Sequence, residues 1–391
     1  MSTPGIGTIT WIAINPIIQL GLCGGIGNVL ARKGILTTQG SKMLSQLLVL
    51  VFSPCLLFSK MLDSVTPQAV ERMAIVVPIV LFYITLGMVA GFAFRKLFAS
   101  TLAPDFNYSI LVAAGWSNWG DIPLAVIRNI TSTPYFKEED NALGVAYIAV
   151  FVMVFNITLF PMGGERLVAR DHKSPKVLSN HDIEPGTVAQ PTDGSKSNTP
   201  QRKSLKARIL KFIVSLLTPI NIGIIGGLII GLTPAKDLFI SNPSGTLLVA
   251  QVSPPLNVIY KSTDFLGAAC VPLGLINLGA SLVDIDFKRI FSLANFVFAC
   301  FKLIITPAIG ISVIYWMTHG LGIISPDEKV LQLVLMFATC VPSATTSLIL
   351  YQFYSPSGES HHMASLLVLQ YILGSVTMAV TLIVSLILIL D

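Results

Sequence analysis

The stretches Trp116-Ser-Asn-Trp-Gly-Asp-Ile-Pro123 and Cys340-Val-Pro-Ser-Ala344 place helix-breaking residues in the middle of long apolar segments. A proline inside a helix lacks an N–H donor, and its ring disrupts the hydrogen bond to residue i−4. In lipid, the carbonyls freed in this way need protein or water partners, so a break is tolerated where it lines a cavity. The two stretches predict two broken helices that face a cavity.

The composition of the surrounding chain excludes several classes of protein. Of the 391 residues, 53% are hydrophobic and 12% are charged, whereas soluble domains carry about 25% charged residues. Such a chain cannot cover itself with polar surface in water. This argues against a soluble enzyme, a secreted domain, a nucleic-acid-binding protein and a disordered chain. It indicates an all-α polytopic membrane protein whose first partner is the lipid bilayer.

Ten segments are long and apolar enough to span a membrane, which takes about 20 residues. They lie near residues 7–31, 43–62, 73–95, 107–128, 141–163, 208–232, 257–283, 290–317, 330–353 and 362–390. The sequence thus predicts a first five-helix repeat (1–163), a flexible cytoplasmic loop rich in charge, Ser and Pro (164–207), and a second five-helix repeat (208–391). Because an odd number of spans per half reverses the direction of insertion, we expect two inverted repeats.

The distribution of Lys and Arg predicts the orientation of the spans, since cytoplasmic connections carry the excess of positive charge. With the N-terminus outside, the inner connections and the central loop hold 17 Lys and Arg, and the outer side holds seven. The central loop supplies this difference. Both termini are therefore expected on the lumenal or extracellular side, with the central loop in the cytoplasm.

Proline lies mid-span at matched places in the two halves, at Pro54 and Pro123 in the first and at Pro272 and Pro342 in the second. Taken alone, each proline is better explained as a structural kink, and it is the four matched positions in two five-span halves that favour a functional break. If spans four and nine both break at the midplane, the half-helices that follow can point their positively polarised N-termini at one place. This predicts an anion site built from two crossover helices. Its candidate residues are Asn118, Gly120, Asp121, Ile122, Pro123, Val341, Pro342, Ser343, Thr345 and Thr346.

Other residues within the spans have a second explanation beside the functional one. Asp121 costs about 2.5–3.5 kcal/mol in a span on insertion scales, and it either binds a proton, cation or substrate group or caps the following half-helix. Lys302 either serves the site or extends its stem to an interface. Trp116 and Trp119 either form a wall for a flat ligand or anchor at the interface. Asn277 is a further candidate for lining the site.

At these residues the chain resembles the auxin efflux carrier family. Trp116–Ile127 is similar to the family's Gly-Asn-x-Pro-Leu segment, and Gly267–Ser281 is similar to its seventh span. Pro342–Gln352, followed by Gly358-Glu-Ser360, resembles the ninth span and the Gly-Glu-Ser turn of the PIN-LIKES branch. The short central loop also fits that branch. The resemblance covers both membrane halves but not the loop, and it indicates a fungal or other non-plant homologue.

The resemblance implies ten helices, two crossing broken helices and an elevator-like mechanism. It also implies an organic-anion cargo, with indole-3-acetic acid as the family's best-known substrate, and the endoplasmic reticulum membrane, with the plasma membrane as the alternative. By position, the crossover would lie at Gly120–Pro123 and Val341–Ser343. Asp121 departs from the family, which usually has Asn there. A negative charge beside an anion site weakens binding unless Asp121 is protonated or paired.

The expected function is therefore secondary transport of a small, auxin-like organic anion. The sequence has no Walker A motif, so ATP is not expected to drive transport. Its five cysteines form no CxxC pair, so no metal site is expected. Enzyme activity and a cofactor are not expected either. A homodimer is left open. One alternative is a non-transporting sensor or scaffold with a transporter fold. The other is an intramembrane aspartyl protease, because Asn118-Trp-Gly-Asp121 is close to a GxGD motif, but the second mid-span Asp that this chemistry needs is missing.

Overall fold

The computed structural model describes residues 6–64, 67–131, 133, 136–172, 218–240, 254–283 and 287–390. Within these ranges the chain is helical, and its only strand-like pairing is a single bridge. The first half contains α1 (Ile6–Arg32), α2 (Thr38–Leu47), α3 (Ser53–Ser64), α4 (Pro67–Leu97), α5 (Ser109–Gly115), α6 (Asp121–Thr131), α7 (Glu138–Leu159) and α8 (Glu165–Asp171). The second half contains α9 (Pro219–Gly231), α10 (Asn257–Ala268), α11 (Cys270–Ala280), α12 (Phe287–Ile290), α13 (Leu293–Cys300), α14 (Thr306–His319), α15 (Lys329–Phe337), α16 (Thr346–Tyr354) and α17 (His361–Leu390).

Six helical segments of the described part are long and apolar enough to cross a membrane. They are Thr38–Asp63, Ala74–Leu97, Glu139–Leu159, Asn257–Ala280, Leu293–His319 and His361–Leu390. Two further apolar helices, Ile122–Thr131 and Pro219–Gly231, are shorter. The predicted all-α fold class is confirmed for the described residues, and the ten-helix inverted repeat stays a prediction.

Two prolines are accommodated within continuous helices. A π turn at Leu48–Phe52 joins α2 to α3 just before Pro54, and another at Phe301–Ile305 joins α13 to α14 just before Pro307. A wider turn moves the carbonyl four residues before the proline away from its ring, which relieves the clash that otherwise breaks a helix. Pro54, predicted from its place in the sequence as a mid-span interruption, therefore widens its helix without ending it.

Close helix crossings hold one group of helices together. A Cβ added to Gly27 in α1 would lie 1.9 Å from the carbonyl oxygen of Ile276 in α11. A Cβ added to Gly223 in α9 would lie 2.5 Å from the carbonyl oxygen of Pro54. Helix backbones in membranes approach this closely only where residues are small. We call α1, α2, α3, α9, α10 and α11 the glycine-packed group.

The remaining helices pack around large buried side chains. Helix α4 packs on α5 and α7, α6 packs on α7, and α15 packs on α17. Their largest side chains that are at most 2% exposed include Phe151, Phe160, Phe298, Phe337 and Tyr351. We call α4–α8 and α12–α17 the core group. The two groups meet where α1 contacts α6 and α17, where α3 contacts α7, and where α2 contacts α16.

Helix α8 extends helical structure past the predicted boundary at residue 164. Its Val168 is buried, and the Asp171 carboxylate accepts hydrogen bonds from the backbone N–H groups of Tyr108 at 2.8 Å and Ser109 at 2.6 Å. These N–H groups at the start of α5 have no partner within the helix. Asp171 therefore fixes the end of the first half against α5. Residues 173–207 of the predicted loop lie outside the described residues.

Candidate functional site

The two proline-containing stretches pair with each other through their backbones. The chain leaves helical structure after Gly115 and resumes it at Asp121, and it does so again between Phe337 and Thr346. Ser117 and Ser343 form an antiparallel bridge. On either side of it, the N–H of Asn118 donates to the carbonyl of Pro342 at 2.8 Å, and the N–H of Ala344 donates to the carbonyl of Trp116 at 3.1 Å. The structure thus brings together two predicted breaks that lie far apart along the sequence.

Side chains from distant parts of the chain satisfy the carbonyls that the first break frees. The Ser343 hydroxyl donates to the carbonyl of Ala113. The ammonium group of Lys302, which is 3% exposed, donates to the carbonyl of Ala114. Lys302 lies in the π turn between α13 and α14, and it points into the protein. Of the two explanations for Lys302, the structure therefore disagrees with an extended stem at an interface.

The second break is satisfied in the same way. The indole N–H of Trp119 donates to the carbonyl of Ala338 at 2.8 Å. The Tyr371 hydroxyl donates to the carbonyl of Ser343 at 3.3 Å and accepts a hydrogen bond from the Asn118 amide at 3.0 Å. Each unwound segment therefore donates hydrogen bonds to carbonyl groups of the other segment. Neither half of the chain can form the crossing alone.

The tryptophans beside the break are buried. Trp116 and Trp119 are each 3% exposed. The Trp116 N–H donates to the Thr158 hydroxyl at 3.0 Å, and the Trp119 ring makes edge contacts with Phe151 and Phe155. A buried indole needs such a partner for its N–H group. The structure therefore disagrees with interfacial anchoring, and Trp119 also lines a cavity.

A cavity of about 410 Å³ opens beside the crossing. At its inner end it is lined by residues of the two breaks: Ser117, Asn118, Trp119, Gly120, Ala344, Thr345 and Thr346. Its walls come from α3, α6, α7 and α11 and are largely apolar. Helices α6 and α16 both begin at this inner end, so the positive ends of two helix dipoles lie beside the cavity. In α16 the N–H groups of Ser347 and Leu348 already donate to the carbonyls of Ala344 and Thr345 at 3.0 Å, and Pro123 in α6 has no N–H group.

The charged rim of the cavity is a feature that the sequence analysis missed. Lys60, Asp63 and Arg128 line it, together with Asn156 deeper in α7. The Asp63 carboxylate accepts a hydrogen bond from the Tyr260 hydroxyl at 2.9 Å. In the sequence, Lys60 and Arg128 stand at the ends of spans and count only toward topology. The one signal in the sequence is that both residues lie near the ends of their helices, α3 and α6, which could have suggested that they line the opening of the same cavity.

Other predicted residues lie behind or away from the cavity. Ile122, Val341 and Ser343 are fully buried, and Pro123 and Pro342 are buried as well. These residues shape the breaks without contacting the cavity.

The remaining candidates divide between the two groups of helices. The Asp121 side chain lies outside the described part, although its backbone begins α6. Pro272 is exposed, and its neighbour Val271 lines the cavity. Asn277 is fully buried and donates to Ser45 and Gln352, and none of these three residues lines the cavity.

Comparison with known proteins identifies the family. Residues 12–382 match the family described as membrane transport protein. Protein ECM3 of Saccharomyces cerevisiae is 26% identical across 51% of this chain, and the uncharacterized transporter YLR152C of the same yeast is 30% identical across 48%. The chain spans 33% of the length of each of these curated relatives.

The plant relatives are similar over most of their length. Protein PIN-LIKES 6 of Arabidopsis thaliana is 24% identical across 88% of this chain and 85% of its own length. Protein PIN-LIKES 1 is 25% identical across 93% and 77%. The family match and the six apolar segments make this chain an integral membrane protein. With nearly its whole length matched, the chain belongs to the membrane transport protein family, and the predicted resemblance to the PIN-LIKES branch of the auxin efflux carriers is confirmed.

Proposed function

We propose that this chain is a secondary transporter that carries a small, auxin-like organic anion by elevator-type alternating access. The observation that carries the proposal is the cavity at which α6 and α16 both begin. Membership of a transport family supports the class of function.

Two helix N-termini at one cavity favour an anionic cargo. Gly120, Thr345 and Thr346 line the cavity at these helix starts. The dipole of each helix places partial positive charge at its first turn, which favours a bound anion. The threonine hydroxyls add further donors. The rim carries two cations, Arg128 and Lys60, and one carboxylate, Asp63, so its net charge is positive and favours the approach of an anion.

The walls favour a flat apolar body on the cargo. Leu57, Leu124, Val152 and Phe155 are among the apolar side chains that line the cavity beside its charged and polar residues. A volume of about 410 Å³ lies in the range of ligand sites, about 300–1,000 Å³. An aromatic carboxylate fits both the polar inner end and the apolar walls of the cavity, with its carboxylate at the helix starts and its ring against the walls.

The arrangement of the helix groups supports two inverted repeats and an elevator. Each half of the sequence contributes its first two predicted spans to the glycine-packed group and its last three to the core group. In the proposed cycle, the core group carries the crossing and its cargo past the glycine-packed group. The proposed topology has both termini outside or lumenal. The proposed membrane is that of the endoplasmic reticulum, with the plasma membrane as the alternative.

Uptake of radiolabelled indole-3-acetate into proteoliposomes tests this function. We expect saturable uptake that Thr346→Val and Arg128→Gln reduce several-fold, because each removes a group from the cavity lining. Lys137→Gln serves as the matched control, since Lys137 pairs with Glu139 on the exposed surface at 3.7 Å. Purified, monodisperse protein that takes up no organic acid from a panel of aromatic and aliphatic carboxylates refutes the proposal.

Asp121 provides a second test of the anion site. A negative charge at the start of α6 opposes an anion bound there, whereas Asn keeps the side-chain shape without the charge. We expect Asp121→Asn to lower the KM for an organic anion at neutral pH. An unchanged KM shows that Asp121 is neutral or paired while cargo is bound, and a raised KM contradicts an anion bound at the start of α6.

A further inference from the structure

A buried polar cluster joins the two helix groups at the end of the molecule opposite the cavity. Its centre is the Gln352 amide in α16, which is 1% exposed. The amide oxygen accepts hydrogen bonds from the Ser45 hydroxyl at 2.8 Å and from the Asn277 amide at 2.5 Å. The amide nitrogen donates to the hydroxyls of Ser281 at 2.8 Å and Ser360 at 3.0 Å. Every hydrogen-bonding position of this one side chain is used.

These contacts cross the boundary between the helix groups. Ser45 and Asn277 lie in α2 and α11, and Ser281 directly follows α11, so three of the four partners are in the glycine-packed group. Gln352 itself belongs to the core group. Beside it, the Lys42 ammonium of α2 donates to the carbonyl of Pro356 in the turn after α16 at 2.5 Å. The cluster therefore ties α16 and the turn that follows it to α2 and α11.

The cluster separates a second, smaller cavity from the protein interior. That cavity has a volume of about 210 Å³, and its lining includes Ser41, Ser281, Gln352, Glu359 and Ser360. Ser45 lies on the same continuous helix as the cavity-lining Lys60, roughly 22 Å away along its axis. The larger cavity is thus open at one end of this helix, and the Gln352 cluster closes the other end.

We propose that Gln352 is a latch that holds the present conformation and releases when the core group moves; this rests on the proposed transport function. Hydrogen bonds between polar side chains in membrane proteins are individually weak, about 0.6 kcal/mol on average. Water entering from the smaller cavity can replace each of them as the interface opens. If the contact here were fully apolar, incoming water could not replace its interactions in this way. The latch therefore holds the closed end without making it permanent.

Cysteine accessibility in lipid nanodiscs tests the latch without relying on transport. Ser41→Cys reports the smaller cavity, and Ala149→Cys reports the larger one. Gln352→Leu keeps a similar volume but cannot donate or accept hydrogen bonds. We expect it to make Ser41→Cys react with a water-soluble maleimide about twentyfold faster, from the loss of three hydrogen bonds between the groups. The same variant makes Ala149→Cys react more slowly, because the two ends open alternately.

Controls separate a latch from general loosening. Gln332→Leu removes another buried glutamine, whose amide donates only to the nearby carbonyls of Ser325 and Pro326, and it is expected to leave both labelling rates unchanged. Parent protein without a reporter gives the background from native cysteines. If Gln352→Leu does not fold, Ser45→Ala removes one bond and shifts both rates in the same directions by a smaller factor.

The outcomes distinguish the latch from the transport function. Labelling that rises at both reporters, changes at neither, or changes equally in Gln332→Leu overturns the latch. Opposite changes at the two reporters support the latch even if no organic anion is taken up, in which case the proposed cargo is wrong. Saturable uptake with unchanged labelling supports the transporter and rejects the latch.

Discussion

Gly27 offers a direct test of the close crossing between α1 and α11. A Cβ at Gly27 would lie 1.9 Å from the Ile276 carbonyl oxygen, short of ordinary contact at about 3.4 Å by about 1.5 Å. Because the added Cβ meets backbone atoms of Ile276, no flexible side chain can move aside, and Gly27→Ala has to separate the two helices. Overpacking of this kind costs about 1–3 kcal/mol.

Gly25→Ala is the matched control on the same helix. A Cβ at Gly25 meets nothing within 4 Å. Both variants gain the same helix propensity, about 1 kcal/mol for Gly→Ala, so their difference isolates the crossing. Thermal unfolding in a mild detergent, followed by size-exclusion chromatography, is expected to show a lower Tm for Gly27→Ala and an unchanged or higher Tm for Gly25→Ala. Equal Tm values refute the close packing of α1 on α11.

Three further changes probe the crossing and the end of the first half. Trp119→Phe keeps an aromatic ring but removes the indole N–H group that donates to the Ala338 carbonyl. We therefore expect a loss of about 1–3 kcal/mol in unfolding free energy, measured by chemical denaturation. Asp171→Ala removes the cap of α5 and is expected to cost about 1–2 kcal/mol in the same assay, and a wild-type midpoint counts against the cap. Burial raises the pKa of Glu165 to about 7 from the ordinary 4.5, so the folded state binds its proton more tightly and stability falls as pH rises through this window. Glu165→Gln is expected to flatten that part of the Tm–pH profile, and an unchanged slope contradicts the burial.

Local chemistry is what the sequence predicts well in this protein. The breaks near Pro123 and Pro342 follow from missing N–H donors and adjacent Gly, Asp, Ser and Thr residues, all visible within a few positions. Pro54 shows the limit of the same reasoning, because a π turn absorbs it and the wider turn leaves no mark in the composition. Whether a proline breaks or widens a helix depends on the helices packed against it.

Long-range partners could not be predicted from one sequence. The Lys302 ammonium meets a carbonyl 188 residues away, and nothing in the residues around Lys302 identifies Ala114 as its acceptor. Asn277 has a polar neighbourhood that only the packing of α2, α11 and α16 creates. Likewise, Lys60 and Arg128 line one cavity only because the fold brings α3 and α6 to the same opening.

The mutual satisfaction of the two breaks has a consequence for biosynthesis. The Ala113 carbonyl receives its donor from Ser343, which is 230 residues further along the chain. At a synthesis rate of about 5–20 residues per second, a nascent first half waits roughly 10–45 s for that donor. During this interval the free carbonyls of its unwound segment need temporary hydrogen-bond donors, which water or the membrane-insertion machinery has to supply. Truncation after the central loop is therefore expected to leave a substrate for membrane-protein quality control rather than a stable half-transporter.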